Sequence, residues 1–304
     1  MWTYSITEND IKLRDLEFDS GKGGEPVQII QLTDLHLSWV SEEDKLDPVI
    51  ASSYEHRVWS KDGRFWEKVK KCLDFAESYD LTVVTGDIFD YYTEETARRT
   101  RELIFDRYKN LIACVGNHEP ARKMQGLIDE VEPIEVRVKC LEDKWCNDIY
   151  YCSRIVGEKV MAIALDNSTM NRFHDCQIEP LRKDIELARE RGYIVFIFCH
   201  DPMSTGNKKY ERLDTLDRGD CYNRNFYNNA VQINASSEGA SGEVYRMITS
   251  NADVIKGFFC GHYHSDFYTE IDATTPDGEK TVIPQYVMKG TVYEKGNALR
   301  ITVK

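Results

Sequence analysis

The stretch "VQIIQLTDLHL", residues 27–37, opens as an apolar run and ends in two metal-type side chains, Asp34 and His36. A short apolar run of this kind reads as a buried strand. Five further runs look the same: "LTVVTG" at 81–86, "LIACVG" at 111–116, "VMAIALD" at 160–166, "YIVFIFC" at 193–199 and "VIKGFFCG" at 254–261. Between them lie segments of helical period: Phe65, Trp66, Val69, Leu73 and Ala76; Ala97, Leu103, Ile104 and Tyr108; Ile178, Leu181, Ile185 and Ala188. Strands alternating with such helices imply β-α-β units and a mainly parallel core. The C-terminal segments "SDFYTEID", "KTVIPQYVMKG" and "ALRITVK" follow one another without a helix and read as antiparallel strands. The expected fold is α/β, with two mixed sheets packed together and helices outside. Residues 1–304 are expected to form one domain, with irregular inserts at about 40–62 and 203–237.

In open α/β sheets the chemistry gathers at the carboxyl ends of the strands. The residues just after the apolar runs are Asp34 and His36; Asp87 and Asp90 in "TGDIFD"; Asn117, His118 and Glu119 in "VGNHEP"; His200 in "FCHDP"; and His262 and His264 in "GHYHSD". Of seven histidines in the chain, five fall in these few places, with only His56 and His174 elsewhere, so chance placement is a poor account. Each motif alone has an ordinary structural explanation as a capped turn or a β-turn. Jointly they do not. In "GHYHSD" the two histidines stand two residues apart, a spacing that points both rings to one side of an extended chain. The donors are imidazole nitrogen, carboxylate and one amide oxygen, a set that suits Mn²⁺, Fe, Zn²⁺ or Co²⁺ better than Ca²⁺. Seven protein ligands exceed what one ion takes while leaving room for water and substrate, whereas two ions sharing a carboxylate would use them all.

The ordered series D-x-H, G-D-x-x-D, G-N-H-E, H and G-H-x-H resembles that of the calcineurin-like metallophosphoesterase superfamily, from about residue 28 to 266. The resemblance implies a four-layer α/β/β/α sandwich and a dinuclear metal phosphoesterase, either phosphatase or phosphodiesterase. It implies that Asp34, His36, Asp87 and His264 bind one divalent transition-metal ion and that Asp87, Asn117, His200 and His262 bind the other, with Asp87 bridging. Two ions so placed can hold a bridging hydroxide as nucleophile and stabilise both the attacking and leaving oxygens. His118 is left over from metal binding. It is assigned to protonating the leaving oxygen or stabilising transition-state charge, with Asp90 orienting its ring. The protein Ser/Thr phosphatases of the superfamily carry GDxxDRG and RGNHE, whereas here Tyr91 and Tyr92 follow Asp90 and Val115 stands where that second arginine would be. "QLTDLHL" is similar to the cyclic-nucleotide phosphodiesterase-like branch, but "FCHDPM" departs from the H-H-P-P usual there.

Composition narrows the partners. The formal charge of −13 argues against long duplex nucleic acid, which is bound through Lys and Arg, but not against a small phosphate ester. No apolar run reaches the ~18 residues of a membrane helix and the start lacks a signal-peptide pattern, so a cytoplasmic protein without membrane association is expected. Nine cysteines, an odd number with no C-x-x-C pair, give neither a disulfide framework nor a zinc ribbon. Two other functions are weighed against the phosphoesterase: a nuclease on single-stranded or short nucleic acid, and a non-catalytic binding module. The ligand set disfavours the module, because no ligand position is eroded. The 203–237 insert leaves the core directly after His200 and is expected to wall the cleft.

Overall fold

A computed structural model describes residues 2–121, 133–206, 233 and 236–304. Two six-stranded mixed sheets face each other. The first runs β1 (Thr3–Ile6), β2 (Lys12–Phe18), β12 (Asn297–Val303), β3 (Val27–Leu32), β4 (Leu81–Thr85), β5 (Leu111–Cys114). The second runs β10 (Phe267–Thr274), β11 (Lys280–Val287), β9 (Ile255–Cys260), β8 (Ile194–Phe198), β7 (Val160–Leu165), β6 (Tyr151–Val156). Strands β3, β4 and β5 are parallel, as are β7, β8, β9 and β11, so the ends that carry the site point one way within each sheet.

Period-two alternation sorts the side chains into layers. Ile29, Val83 and Ile112 of the first sheet meet Ala162, Phe196, Phe198 and Phe259 of the second between the sheets. Phe259 lies at the centre of a stack, 5.0 Å from Phe198 and 5.4 Å from Tyr286 between ring centroids. The alternate residues Ile30, Leu32 and Val84 turn outward onto helices α2 (Trp66–Ala76), α3 (Glu94–Thr100) and α4 (Ile134–Glu142). On the other side Ile163, Val195 and Phe258 pack under α5 (Asp175–Arg191) and α6 (Gly239–Thr249). The helices carry the expected stripes: Val69, Cys72, Leu73 and Ala76 are buried on α2, and Leu181, Ile185 and Ala188 on α5. Gly192 ends α5 in the left-handed conformation at φ 67°, with Arg189 and Arg191 in the last turn. The result is the α/β/β/α sandwich expected from the sequence.

Three local expectations change. The 40–62 segment contains a helix, α1 (Pro48–His56), started by Pro48 and by the Asp47 side chain accepting from the Val49 N–H at 2.8 Å. Strands β1, β2 and β6 add to the sheets on segments not read as strands. Of the three C-terminal segments, only β10 and β11 pair antiparallel with each other. β12 crosses to the first sheet, antiparallel to β3 and parallel to β2, because the gap between those strands offers two unpaired edges at once. The 203–237 insert lies mostly outside the described residues. Among the described residues no helix is long and apolar enough to cross a membrane, and the described cysteines are free thiols.

Candidate metal centre

Beyond β3 and β4 the two chains stay laced together. Asp34 N–H donates to the Gly86 carbonyl at 3.0 Å, His36 N–H to Asp87 at 2.9 Å and Leu37 N–H to Ile88 at 2.8 Å. This holds two loops in register exactly where their donors must converge. Glu119, fully buried, accepts N–H bonds from Asp87, Ile88, Phe89 and Gly116 and so ties the β4 loop to the β5 loop. Burial and the Asp87 charge push its carboxyl up to about 7 against the pull of those donors.

The side chains form three groups: two share Asp87, and the third, His36, Asp90 and His118, joins the first at His36. In one, Asp34, His36, Asp87 and His264 each offer a ligand atom within 4.8 Å of the others. His36 Nε2 lies 2.9 Å from His264 Nε2 and 3.9 Å from Asp87 Oδ2, and His264 Nε2 lies 3.0 Å from Asp34 Oδ1. In the second, Asp87, His200 and His262 do the same. His200 Nε2 is 3.2 Å from Asp87 Oδ2, 3.1 Å from His262 Nδ1 and 3.3 Å from Asn117 Oδ1. The structure therefore brings all seven expected ligands to one place.

Their outer atoms are held as ligands need. His200 Nδ1 donates to the Thr85 carbonyl at 2.8 Å, leaving Nε2 for the cluster; His264 Nδ1 is 2.5 Å from the Tyr293 hydroxyl; Thr33 Oγ1 donates to Asp34 Oδ2 at 2.7 Å. Such partners fix the ring tautomer and orientation. A cation fits here on three counts. Asp34 Oδ1 is buried without a hydrogen-bond donor although ring nitrogens crowd it. Burial opposes a charge on His200, yet the Asp87 carboxylate outweighs it and raises the imidazole well above its usual value, so the cluster draws positive charge inward. The backbone is also strained at the ligands: Asp34, His36, Asp87, His262 and His264 all have φ between 41° and 70°, the left-handed region that residues with a Cβ enter at a cost. At His262, burial and the neighbouring His200 push the imidazole down to about 3, which keeps it neutral for ligation.

His118 stands beside this pair. Its Nδ1 donates to the Asp90 backbone carbonyl at 2.6 Å and its Nε2 is 3.9 Å from Asp87 Oδ2. Asp90 thus reaches His118 by its main chain. Its carboxylate, 3.6 Å from His118 Nδ1, is taken up by Arg57, by Ser60 and by His36 Nδ1 at 3.2 Å. Burial raises the Asp90 carboxyl, but His36, His118 and Arg57 outweigh it and hold it below the usual range. Arg57, Trp59 and Ser60 are contributions the sequence reading missed. Trp59 packs on His36 at 5.1 Å, and Arg57 lies over Trp59 at 4.7 Å. All three follow α1 in a stretch without periodicity, so nothing in the sequence pointed to them. Tyr293, from the turn before β12, was missed for the same reason.

A fold of this kind with a paired His/Asp cluster at its strand ends defines a metal-dependent phosphoester hydrolase. The chain belongs to the calcineurin-like phosphoesterase family, whose model matches residues 27–266. No curated protein matches the chain. Among solved structures it is similar to a dimetal phosphatase from Danio rerio, at 11% identity and TM-score 0.45 over 87% of either chain. It is also similar to PhoD, at 10% identity and TM-score 0.44, over 92% of this chain and 59% of that one. A third likeness, to a putative 5'-nucleotidase from Staphylococcus aureus at 13% identity and TM-score 0.40, covers 89% of this chain and 56% of that one. Likenesses this distant carry no argument about activity.

Proposed function

We propose that the chain hydrolyses a small phosphomonoester or phosphodiester at a dinuclear site, with Asp34, His36, Asp87 and His264 holding one ion and Asp87, Asn117, His200 and His262 the other. The observation that carries this reading is the position of Asp87, whose carboxylate belongs to both donor groups. When bound, the ion pair supplies Lewis acidity to the phosphoryl oxygens and an attacking water of lowered pKa. The chain's own residues do the rest. The lacing of the β3 and β4 loops fixes the donors, which limits the reorganisation needed when charge builds up on the phosphoryl group. His118, its Nδ1 anchored on the Asp90 carbonyl, presents Nε2 toward the cleft with a side chain 18% exposed, where a substrate oxygen can reach it. As the P–O bond to the leaving group breaks, the proton on Nε2 passes to the departing oxygen and the imidazole is left neutral. The centre gathers the buried carboxylates of Asp34, Asp87 and Asp90, which supports a small ester over a long duplex.

The test is a substrate panel. Chelated protein is reloaded with Mn²⁺, Zn²⁺, Mg²⁺ or Ni²⁺ and assayed on p-nitrophenyl phosphate, bis-p-nitrophenyl phosphate, alkyl phosphates and single-stranded DNA. Activity on small esters that needs about two ions per chain is expected. Full activity in rigorously metal-free protein would defeat the proposal, and a marked preference for DNA would replace it with a nuclease.

A further inference from the structure

Among the described residues the largest side chain to be fully buried is a cation, Arg14 on β2. A guanidinium taken out of water is costly unless its donors are used, and an apolar side chain of similar volume would often stabilise a core as well or better. Its Nε is buried with no acceptor among the described residues, a further cost that a purely structural side chain would avoid. The other nitrogens are engaged: Nη1 donates to the Lys12 carbonyl at 3.2 Å, and Nη2 donates to Asn297 Oδ1 at 3.1 Å and to the Asp266 carboxylate. Both of these last contacts lead to His264. Asp266 stands two residues beyond it, and its other oxygen accepts the Lys289 N–H at 2.8 Å, so the chain leaving His264 is fastened from two sides. Asn297, at the start of β12, donates from Nδ2 to the Tyr293 carbonyl at 2.8 Å and to the Gly290 carbonyl at 3.1 Å. This closes the turn whose Tyr293 hydroxyl meets His264 Nδ1 at 2.5 Å. The same turn is tied to the end of β3, because the Thr291 N–H donates to the Thr33 carbonyl at 2.7 Å and Thr291 Oγ1 accepts the Thr33 N–H at 3.1 Å, one residue before Asp34.

We infer that Arg14 is a positioning residue for the ion held by Asp34, His36, Asp87 and His264, acting through Asp266 and Asn297 on the two segments that aim the His264 ring. The inference rests on the dinuclear reading above and deepens it. Three acceptors on three segments call for a planar fork, which an ammonium on a flexible stem does not supply. The other half of the centre is held from elsewhere: His200 Nδ1 donates to the Thr85 carbonyl on β4. A defect at Arg14 therefore falls on one ion and spares the other. Arg14, Tyr293 and Asn297 all lie outside residues 27–266, the span of the family model, so this support comes from the strands that flank it.

The experiment measures binding, not turnover. Metal-free wild type, Arg14→Met and Arg14→Lys are titrated with Mn²⁺ by calorimetry and with Co²⁺ by visible absorption, with far-ultraviolet circular dichroism as the folding control. His264→Ala and His200→Ala, titrated in the same way, assign each binding event to its half. In Arg14→Met the event that His264→Ala weakens most is expected to weaken by about 10- to 100-fold, the loss typical of partners that orient a ligand, while the other event stays as it was. Arg14→Lys keeps the charge without the fork and should show the same selective loss. Wild-type affinity in Arg14→Met would overturn the inference, and so would equal weakening of both events, which would make Arg14 a general support of the fold. Wild-type affinity in Arg14→Lys would overturn the fork as the cause. If neither variant folds, Asp266→Asn, which keeps the shape of the contact and removes its charge, should weaken the same event, and unaltered affinity there would count against the inference. A wild type that binds no ion defeats the dinuclear reading itself, a result distinct from all of these.

Discussion

His118 and Asp90 are adjacent in space but are held by different partners. His118 Nδ1 donates to the Asp90 carbonyl, which anchors the ring, whereas the Asp90 carboxylate faces His36 across 3.2 Å. His118→Ala should therefore keep its ions and lose kcat on alkyl phosphates by ~10² to 10⁴, with a much smaller loss on p-nitrophenyl esters, whose leaving group hardly needs the proton. Asp90→Asn should behave differently. It leaves the carbonyl in place but weakens the orientation of His36, so both ester types should slow together and an ion should be held less tightly. Steady-state kinetics on the two ester types, beside metal analysis of each variant, separates these outcomes. If His118→Ala loses an ion or slows both types equally, the general-acid role is wrong.

The elements show which part of this site could be read from sequence. Strand ends were legible, because apolar runs such as 27–32 and 194–198 break off close to Asp or His, and six of the expected ligands group together with Asn117 beside His200. The strap after α1 was not: "PVIASSYEH" buries only Ile50 and Ser53, too narrow a stripe to announce a helix. β1 is exposed along its whole length and β2 buries Arg14, so neither shows apolar alternation. The crossing of β12 depends on edges left by distant strands, which no local pattern encodes. Glycines at the strand ends add a constraint that the motifs hint at and the geometry explains. A Cβ at Gly261 would sit 1.9 Å from Thr33 Oγ1 and 2.5 Å from Asp34 Oδ2, and one at Gly86, where φ is 80°, 2.5 Å from His200 Nδ1. Gly261→Ala and Gly86→Ala should each cost metal before they cost fold. Gly261→Ala should disturb the Asp34 half and Gly86→Ala the His200 half, read as ions per chain by elemental analysis. Two ions retained in both would show that the loops can yield.

At the scale of the molecule the chain carries a net −13 and concentrates buried carboxylates and left-handed backbone in one cleft between the sheets. Without ions the strained residues oppose folding, each at a cost of order 1 kcal/mol or more, and the Asp34–Asp87 repulsion takes back part of what His200 and His264 give those carboxylates. Ions that bind only the native state reverse this by mass action, each contributing about 2.7 kcal/mol at a concentration 100 times its Kd. For a domain of this size about 1 kcal/mol moves the midpoint by roughly 2 °C, so saturation of both sites should raise Tm by some 10 °C over chelated protein. Asp87→Asn discriminates the source of that gain. It removes the shared carboxylate and with it the ion pair to His200 at 3.2 Å, so its metal-free form should melt somewhat below metal-free wild type. Its rise on adding metal should also be well under half that of wild type, since both ions lose a ligand. Differential scanning fluorimetry with and without Mn²⁺ reads both quantities, and a full metal-induced rise in Asp87→Asn would mean that Asp87 does not bridge the ions.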